Sequence, residues 1–154
     1  MTGLAETVPI MVRMALPADA ATLAAIHASA FARAWDTAAM AQFLGVPGCL
    51  ALIAATREDA PAQGFLIARA AADEAELLTL CVLPAYRRHG LARALLATLV
   101  QELRRAGGKH LFLEVEEGNE AALGLYRSLG AEPVGRRPGY YEHGVDAAIF
   151  SLAL

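Results

Sequence analysis

A chain of 154 residues and 16.2 kDa is about one domain long and can bury a core without disulfide or metal staples. With 56% hydrophobic and 19% charged residues and a mean hydropathy of +0.41 it is no disordered chain, and no run reaches the ~18 uncharged apolar residues of a membrane span. A net charge of −3 and a pI near 5.8 argue against nucleic-acid binding through phosphate neutralisation.

The start, Met1 to Glu6, lacks the basic and apolar regions of a secretory signal, so a cytoplasmic protein of one domain spanning residues 1–154 is expected, with no nucleic-acid or membrane partner. No repeat, low-complexity tract or linker divides it. Residues 9–16 read as a first strand. Pro17-Ala18-Asp19 then opens an alanine-rich helix with Leu23, Ile26 and Ala30 on one face. Asp36 caps a second helix running to about Leu44, where Gly45, Pro47 and Gly48 stop it. Residues 49–56, 64–70 and 76–83 follow as strands, joined by polar turns at 57–63 and 71–74; connections this direct make the sheet antiparallel there.

Residues 90–106 carry Leu91, Leu95 and Leu99, with Leu96 and Leu103, at helical spacing. Arg104 and Arg105 suit the negative end of that helix, and Gly107-Gly108 terminates it. Leu111, Leu113 and Val115 then alternate with His110, Phe112, Glu114 and Glu116, the pattern of a two-faced strand. Asn119 caps a short helix that ends near Leu129-Gly130, and strands at 131–136 and 146–152 flank a turn-rich loop. The predicted class is α/β, in the order β-α-α-β-β-β-α-β-α-β-β: a mixed, mostly antiparallel sheet of about six to seven strands with helices on both faces.

Cys49 and Cys81 lie in apolar strand-like runs and are expected to be buried thiols outside any disulfide. The histidines, His27, His89, His110 and His143, show no metal-ligand spacing, so no metal is expected. Charge is unevenly spread. Between Leu77 and Gln101 there is no carboxylate, whereas Arg87, Arg88, His89 and Arg93 all fall there. A compact cationic patch on an acidic chain suits a small polyanion.

That patch lies where a strand gives way to a helix. The first amides of a helix lack intrahelical partners and carry roughly half a positive charge, so a pyrophosphate can be held there if the backbone approaches closely. Gly90 and the small Ala92 permit the approach, and the arginines add charge-assisted contacts. Glycine and arginine alone are equally explained by an ordinary turn with solvated side chains, and neither a GK[ST] nor a GxGxxG spacing is present.

The run Arg87-Arg88-His89-Gly90-Leu91-Ala92 fits the (Gln/Arg)-x-x-Gly-x-(Gly/Ala) signature of the GNAT superfamily of acetyl-CoA-dependent N-acetyltransferases. Leu113-Glu114-Val115, Asn119, Tyr126 and Leu129-Gly130 resemble that family's cofactor and catalytic segment. With Tyr140-Tyr141 and Asp146-Ala147, the chain is most similar to the bacterial branch that acetylates ribosomal-protein alanine. The resemblance implies the GNAT acyltransferase fold, with acetyl-CoA as cosubstrate and no metal. Leu80, Cys81 and Val82 would lie along the pantetheine arm. Arg87 would open the motif, and the amides of Arg88, His89, Gly90, Leu91, Ala92 and Arg93 would hold the pyrophosphate. Asn119 would meet the thioester end, Glu114 would be the general base and Tyr126 the general acid. Two positions depart from the family: Ala92 replaces a commoner glycine, and Ala131 stands where an aromatic residue usually follows Leu-Gly.

The chemistry of acyl transfer agrees with these roles. The attacking amine must be neutral, yet an α-amine has a pKa near ~8 and lysine near ~10.4. A carboxylate is a weak base for that proton unless burial or a relaying water helps it. Glu114 alternates away from Leu113 and Val115, so its face can line a cleft, although a solvated glutamate has the same spacing. Protonating the thiolate (~8.5) from tyrosine (~10) is uphill by about 2 kcal/mol, so Tyr126 is expected to act mainly as a hydrogen-bond donor. For Asn119, helix capping is a sufficient explanation by itself. Substrate signals are thinner. Glu116 and its neighbour Glu117 would attract a cationic amine, Trp35 precedes a helix in the expected acceptor-side half, and Tyr140 and Tyr141 would wall a peptide groove.

The expected activity is direct acetyl transfer to a primary amine, a protein N-terminal α-amine of the ribosomal-protein alanine type. Two alternatives remain: a small-molecule acceptor such as a polyamine or amino sugar, and a non-catalytic acetyl-CoA-binding module. Glu114 and Tyr126 speak against the latter, because a pure binder needs only the loop.

Overall fold

The computed structural model describes residues 9–57, 60–140 and 144–154. Strand β1 (Met11–Met14) pairs antiparallel with β2 (Cys49–Ala55), with Met11 opposite Ala55. Asp19 fixes the exit from β1. Its carboxylate accepts from both terminal nitrogens of Arg13 at 2.9 Å and from the Leu16 N–H at 2.7 Å, and the guanidinium holds that carboxyl below the usual carboxylate range. A 3-10 turn at Pro17–Asp19 leads into α1 (Ala20–Ala28), which buries Leu23 and Ile26 as its periodicity predicts; Ala30 lies beyond the helix and is exposed. Asp36 caps α2 (Thr37–Leu44) by accepting the Ala39 N–H on Oδ1 at 2.8 Å.

An aromatic column occupies the connection between these helices. The His27 ring stacks on Phe31 at 4.4 Å and on Trp35 at 4.7 Å, and Trp35 stacks on Phe43 at 4.2 Å. His27 Nδ1 accepts the Trp35 backbone N–H at 3.1 Å, which requires that nitrogen to be unprotonated. Burial holds the imidazole below its ordinary 6.5. The unfolded chain therefore binds this proton first as the pH falls. Stability from His27 is full above the unfolded value and is lost as the pH drops through the folded one. Melting temperatures followed from about pH 8 to pH 5 should fall more steeply for the native chain than for His27→Asn, whose amide oxygen accepts the N–H throughout. Parallel curves for the two chains would remove His27 as the cause.

Strands β3 (Gly64–Ala71) and β4 (Glu74–Val82) run longer than predicted, leaving only Ala72 and Asp73 as the turn between them. Ala72 sits at φ 55 there. Such a two-residue hairpin normally shows itself by Asn-Gly or Asp-Gly, and Ala-Asp lacks that signal. Gly48, just before β2, has φ +83, and a Cβ would lie 2.2 Å from the Ala70 carbonyl oxygen. Only glycine fits, because the Gly48 oxygen also accepts the Ala70 N–H at 2.8 Å.

Helix α3 (Leu91–Arg105) turns Leu91, Leu95, Leu96, Leu99 and Leu103 inward. It ends at Arg105, Gly107 beyond it is left-handed (φ 84), and the Gly108 N–H returns to the Leu103 oxygen at 2.8 Å. Strand β5 (His110–Glu116) follows, then α4 (Glu120–Ser128), β6 (Glu132–Arg137) and β7 (Ala147–Ala153). The sheet order is β1-β2-β3-β4-β5-β7-β6. Seven strands meet the expected six to seven, and β4 with β5 supplies the parallel pair that makes the sheet mixed. Their register spans Glu74–His110, Ala75–Leu111 and Glu76–Phe112, although both strands continue beyond it.

The chain condenses into two compact units. One takes the described residues up to Pro47 with Ala51–Leu66 and Leu80–Thr98; its buried side chains include Leu23, Met40, Phe65, Leu91 and Leu95. The other takes Gly48–Leu50, Ile67–Thr79 and Leu99–Leu154 and buries Ile67, Leu103, Leu111, Leu113 and Phe150. Neither cysteine forms a disulfide. Cys81 is buried as expected. Cys49 is only half-buried, because it opens β2 ahead of the buried run from Ala51 to Ala55; burial still raises its thiol. Among the described residues no helix is long and apolar enough to cross a membrane, and no cluster of His, Cys, Asp and Glu could hold a metal ion.

Candidate active site

The cationic segment forms a loop between β4 and α3. Leu80, Cys81 and Val82 end the strand, Pro84–Tyr86 make a 3-10 turn, and Arg87 Nε donates to the Val82 oxygen at 3.2 Å. Arg87, Arg88, His89, Gly90 and Arg93 are exposed, Ala92 is half-exposed and Leu91 is buried. The backbone is left-handed at Arg88 (φ 66) and Gly90 (φ 86). The first α-helical bond runs from the Ala94 N–H to the Gly90 oxygen at 3.0 Å, so the amides of Leu91 and Ala92 precede the helix ladder. Left-handed residues at a helix start, a positive dipole end and solvent-facing arginines fit an anionic pyrophosphate.

Strand β5 shows the predicted alternation: Leu111, Leu113 and Val115 are buried, Phe112 and Glu114 half-buried, and Glu116 exposed. Antiparallel pairing aligns Glu114 with Ile149 of β7, and Leu113 with Phe150. Tyr126 is 5% exposed on α4, its ring 6.3 Å from Phe150 and edge-on. It therefore packs on the Leu113 side of the sheet, whereas Glu114 rises from the other side. Asn119 is exposed, and its Oδ1 accepts the Ala122 N–H at 3.2 Å, so it caps α4 as its place before that helix predicts. Its side-chain nitrogen stays outside that bond.

Charge partners on β6 are what sequence reasoning missed. Arg137 Nη2 lies 3.1 Å from Glu114 Oε1, and its guanidinium carbon stands 5.5 Å over the Tyr140 ring. Arg136 meets Glu117 at 2.7 Å and Asp146 at 2.6 Å, and Asp146 Oδ1 accepts the Gly139 N–H at 2.8 Å. Nothing local in the sequence shows which acid each arginine of the Arg136-Arg137 doublet reaches.

Of the residues expected on the acceptor side, Tyr140 is 53% exposed beside Arg137. Glu116 is exposed at the end of β5. Tyr141 lies outside the described residues. Trp35 is half-buried and stacks on both His27 and Phe43. A hollow lined by Arg69, Ala71, Glu74, Glu76 and Phe112 contains none of the candidate residues.

The sequence pattern of the acetyltransferase (GNAT) family matches residues 20–131. The chain belongs to the GNAT acetyltransferase family. The [ribosomal protein bS18]-alanine N-acetyltransferase of Escherichia coli strain K12 is 42% identical to it over 93 residues, 58% of this chain and 63% of that protein, so the match spans less than two thirds of that relative. The crystal structure of the ribosomal-protein-S18-alanine N-acetyltransferase from Escherichia coli superposes with a TM-score of 0.85 at 32% identity, over 94% of this chain and 93% of that one. A Salmonella typhimurium structure with its cofactor acetyl-CoA matches with a TM-score of 0.80 at 25% identity, over 94% of each chain. The mixed seven-stranded sheet is thus the GNAT fold, as the motif at residues 87–92 implied.

Proposed function

We propose that this GNAT chain works as one acetyltransferase domain and transfers acetyl from acetyl-CoA to a protein N-terminal α-amine of the ribosomal-protein alanine type. Such an acceptor is met in the cytoplasm. The observation that carries the reading is the 42% identity to an enzyme named for that acceptor. When bound, acetyl-CoA supplies an activated acetyl thioester. Leu80, Cys81 and Val82 run along its pantetheine arm. Amides of Arg88, His89, Gly90, Leu91, Ala92 and Arg93 hold its pyrophosphate, with Arg87 adding charge at the start of the motif. The left-handed backbone and dipole end described above support this assignment.

Glu114, half-buried with 23% of its side chain exposed, takes the amine's proton directly or through water. Tyr126 supplies the hydrogen-bond donor for the departing sulfur, and the Asn119 side-chain nitrogen orients the thioester end. Glu116, Tyr140 and Tyr141 receive the acceptor peptide. Trp35 shapes the acceptor side from within its aromatic stack.

The acceptor class is decided by the cost of making the amine neutral. At pH ~7 about one tenth of an α-amine is neutral, against about one lysine in several thousand, a difference near 3 kcal/mol. An Ala-starting peptide should therefore exceed its N-blocked, lysine-containing counterpart and spermidine in kcat/KM by about 100-fold or more. Preference for spermidine or the blocked peptide would overturn the acceptor and leave acetyl transfer standing. Tight acetyl-CoA binding with no turnover of any amine would favour a binding module.

A further inference from the structure

We infer that Arg137 is a positioning residue for Glu114, placed on the same face of the sheet by an irregularity in β6; this rests on the reading of Glu114 as the base. Strand β6 pairs with β7 as Glu132–Ser151 and Pro133–Phe150, but then as Gly135–Ile149, Arg136–Ala148 and Arg137–Ala147. Val134 is the extra residue. Because side chains alternate along a strand, one inserted residue exchanges the faces of everything after it. Facing residues across an antiparallel ladder share a side. Ala147 faces Glu116 and Ile149 faces Glu114, which puts Arg137 on the side of Glu114 and Glu116. Arg136 falls on the other side, toward Glu117 and Asp146. The ion pairs agree with this assignment residue by residue. Without the bulge the two arginines would trade partners.

The Arg137–Glu114 pair is a poor candidate for a stability device. Half of the arginine side chain is exposed (53%), and ion pairs of that exposure contribute little to folding. Its geometry serves orientation instead. The guanidinium carbon stands 5.5 Å over the Tyr140 ring, and Nη2 meets Glu114 Oε1 at 3.1 Å. A glutamate has several side-chain torsions to lose before it can take a proton, and a planar cation paired with its carboxylate removes much of that freedom. Arg137 thereby also links the base to the loop that carries Tyr140.

A double-mutant cycle tests this on the full chain, with an Ala-starting peptide and acetyl-CoA. Arg137→Met is expected to lower kcat about 10-fold with the KM for acetyl-CoA and the melting temperature nearly unchanged, and Arg137→Lys to recover part of the loss. In a Glu114→Gln background Arg137→Met should have no further effect, because the group it orients is gone. Multiplicative losses in the double variant would overturn the proposal. So would native turnover in Arg137→Met while Glu114→Gln is impaired, which would leave the base assignment standing. If Glu114→Gln itself turns over at the native rate, the base assignment falls and takes this proposal with it.

Discussion

Gly90→Asp is expected to abolish the stabilisation that acetyl-CoA confers on the native chain. A ligand at about 100 times its Kd adds roughly 2.7 kcal/mol to a fold that alone binds it, which for a domain of this size is a rise of roughly 5–10 °C in Tm. Aspartate at position 90 sets a carboxylate beside the start of α3, where the dipole end and the arginines favour an anionic ligand. The variant should still fold. A Cβ at Gly90 would meet only the Ile10 Cδ1 atom at 3.6 Å, an ordinary contact, so the remaining cost is the left-handed backbone (φ +86), about 1–2 kcal/mol. Gly90→Ala carries that cost without the charge and serves as the control. A native chain whose Tm does not move with saturating acetyl-CoA would overturn the cofactor assignment.

Tyr126→Phe is expected to lower turnover by about 100-fold while acetyl-CoA affinity stays nearly intact, because the hydroxyl matters chiefly as the sulfur departs. The ring contributes separately. It is buried and edge-on to Phe150, a contact phenylalanine preserves, so the melting temperature should shift only by what one hydroxyl's hydrogen bond contributes, about 1 kcal/mol. Turnover and stability therefore separate in this variant. Native turnover in Tyr126→Phe would make Tyr126 a packing residue and pass its role to water or another group.

The elements of this fold were legible because they are local. Leucines at helical spacing made α3, the alternation of residues 110–116 made β5 and chose the face of Glu114, and Asp36 and Asn119 marked helix starts through bonds spanning three residues. The loop at residues 87–92 was legible for the same reason, since its shape rests on one glycine and a helix start. Other features depended on partners distant in the chain. Ala72 and Asp73 make a tight turn without turn chemistry of their own, because the strands on either side pair that closely. His27, 8 residues from the amide it accepts, showed no sign of being an aromatic platform for Trp35. The arginine doublet was visible, but one extra residue at Val134 decides which arginine meets Glu114, and a ladder's register is a property of two strands together. Periodicity and caps thus determined what this sequence forms, and the motif at residues 87–92 with Glu114, Asn119 and Tyr126 carried its resemblance to the GNAT family. Pairing register and side-chain stacking, which exist only between segments, decided what stands beside them.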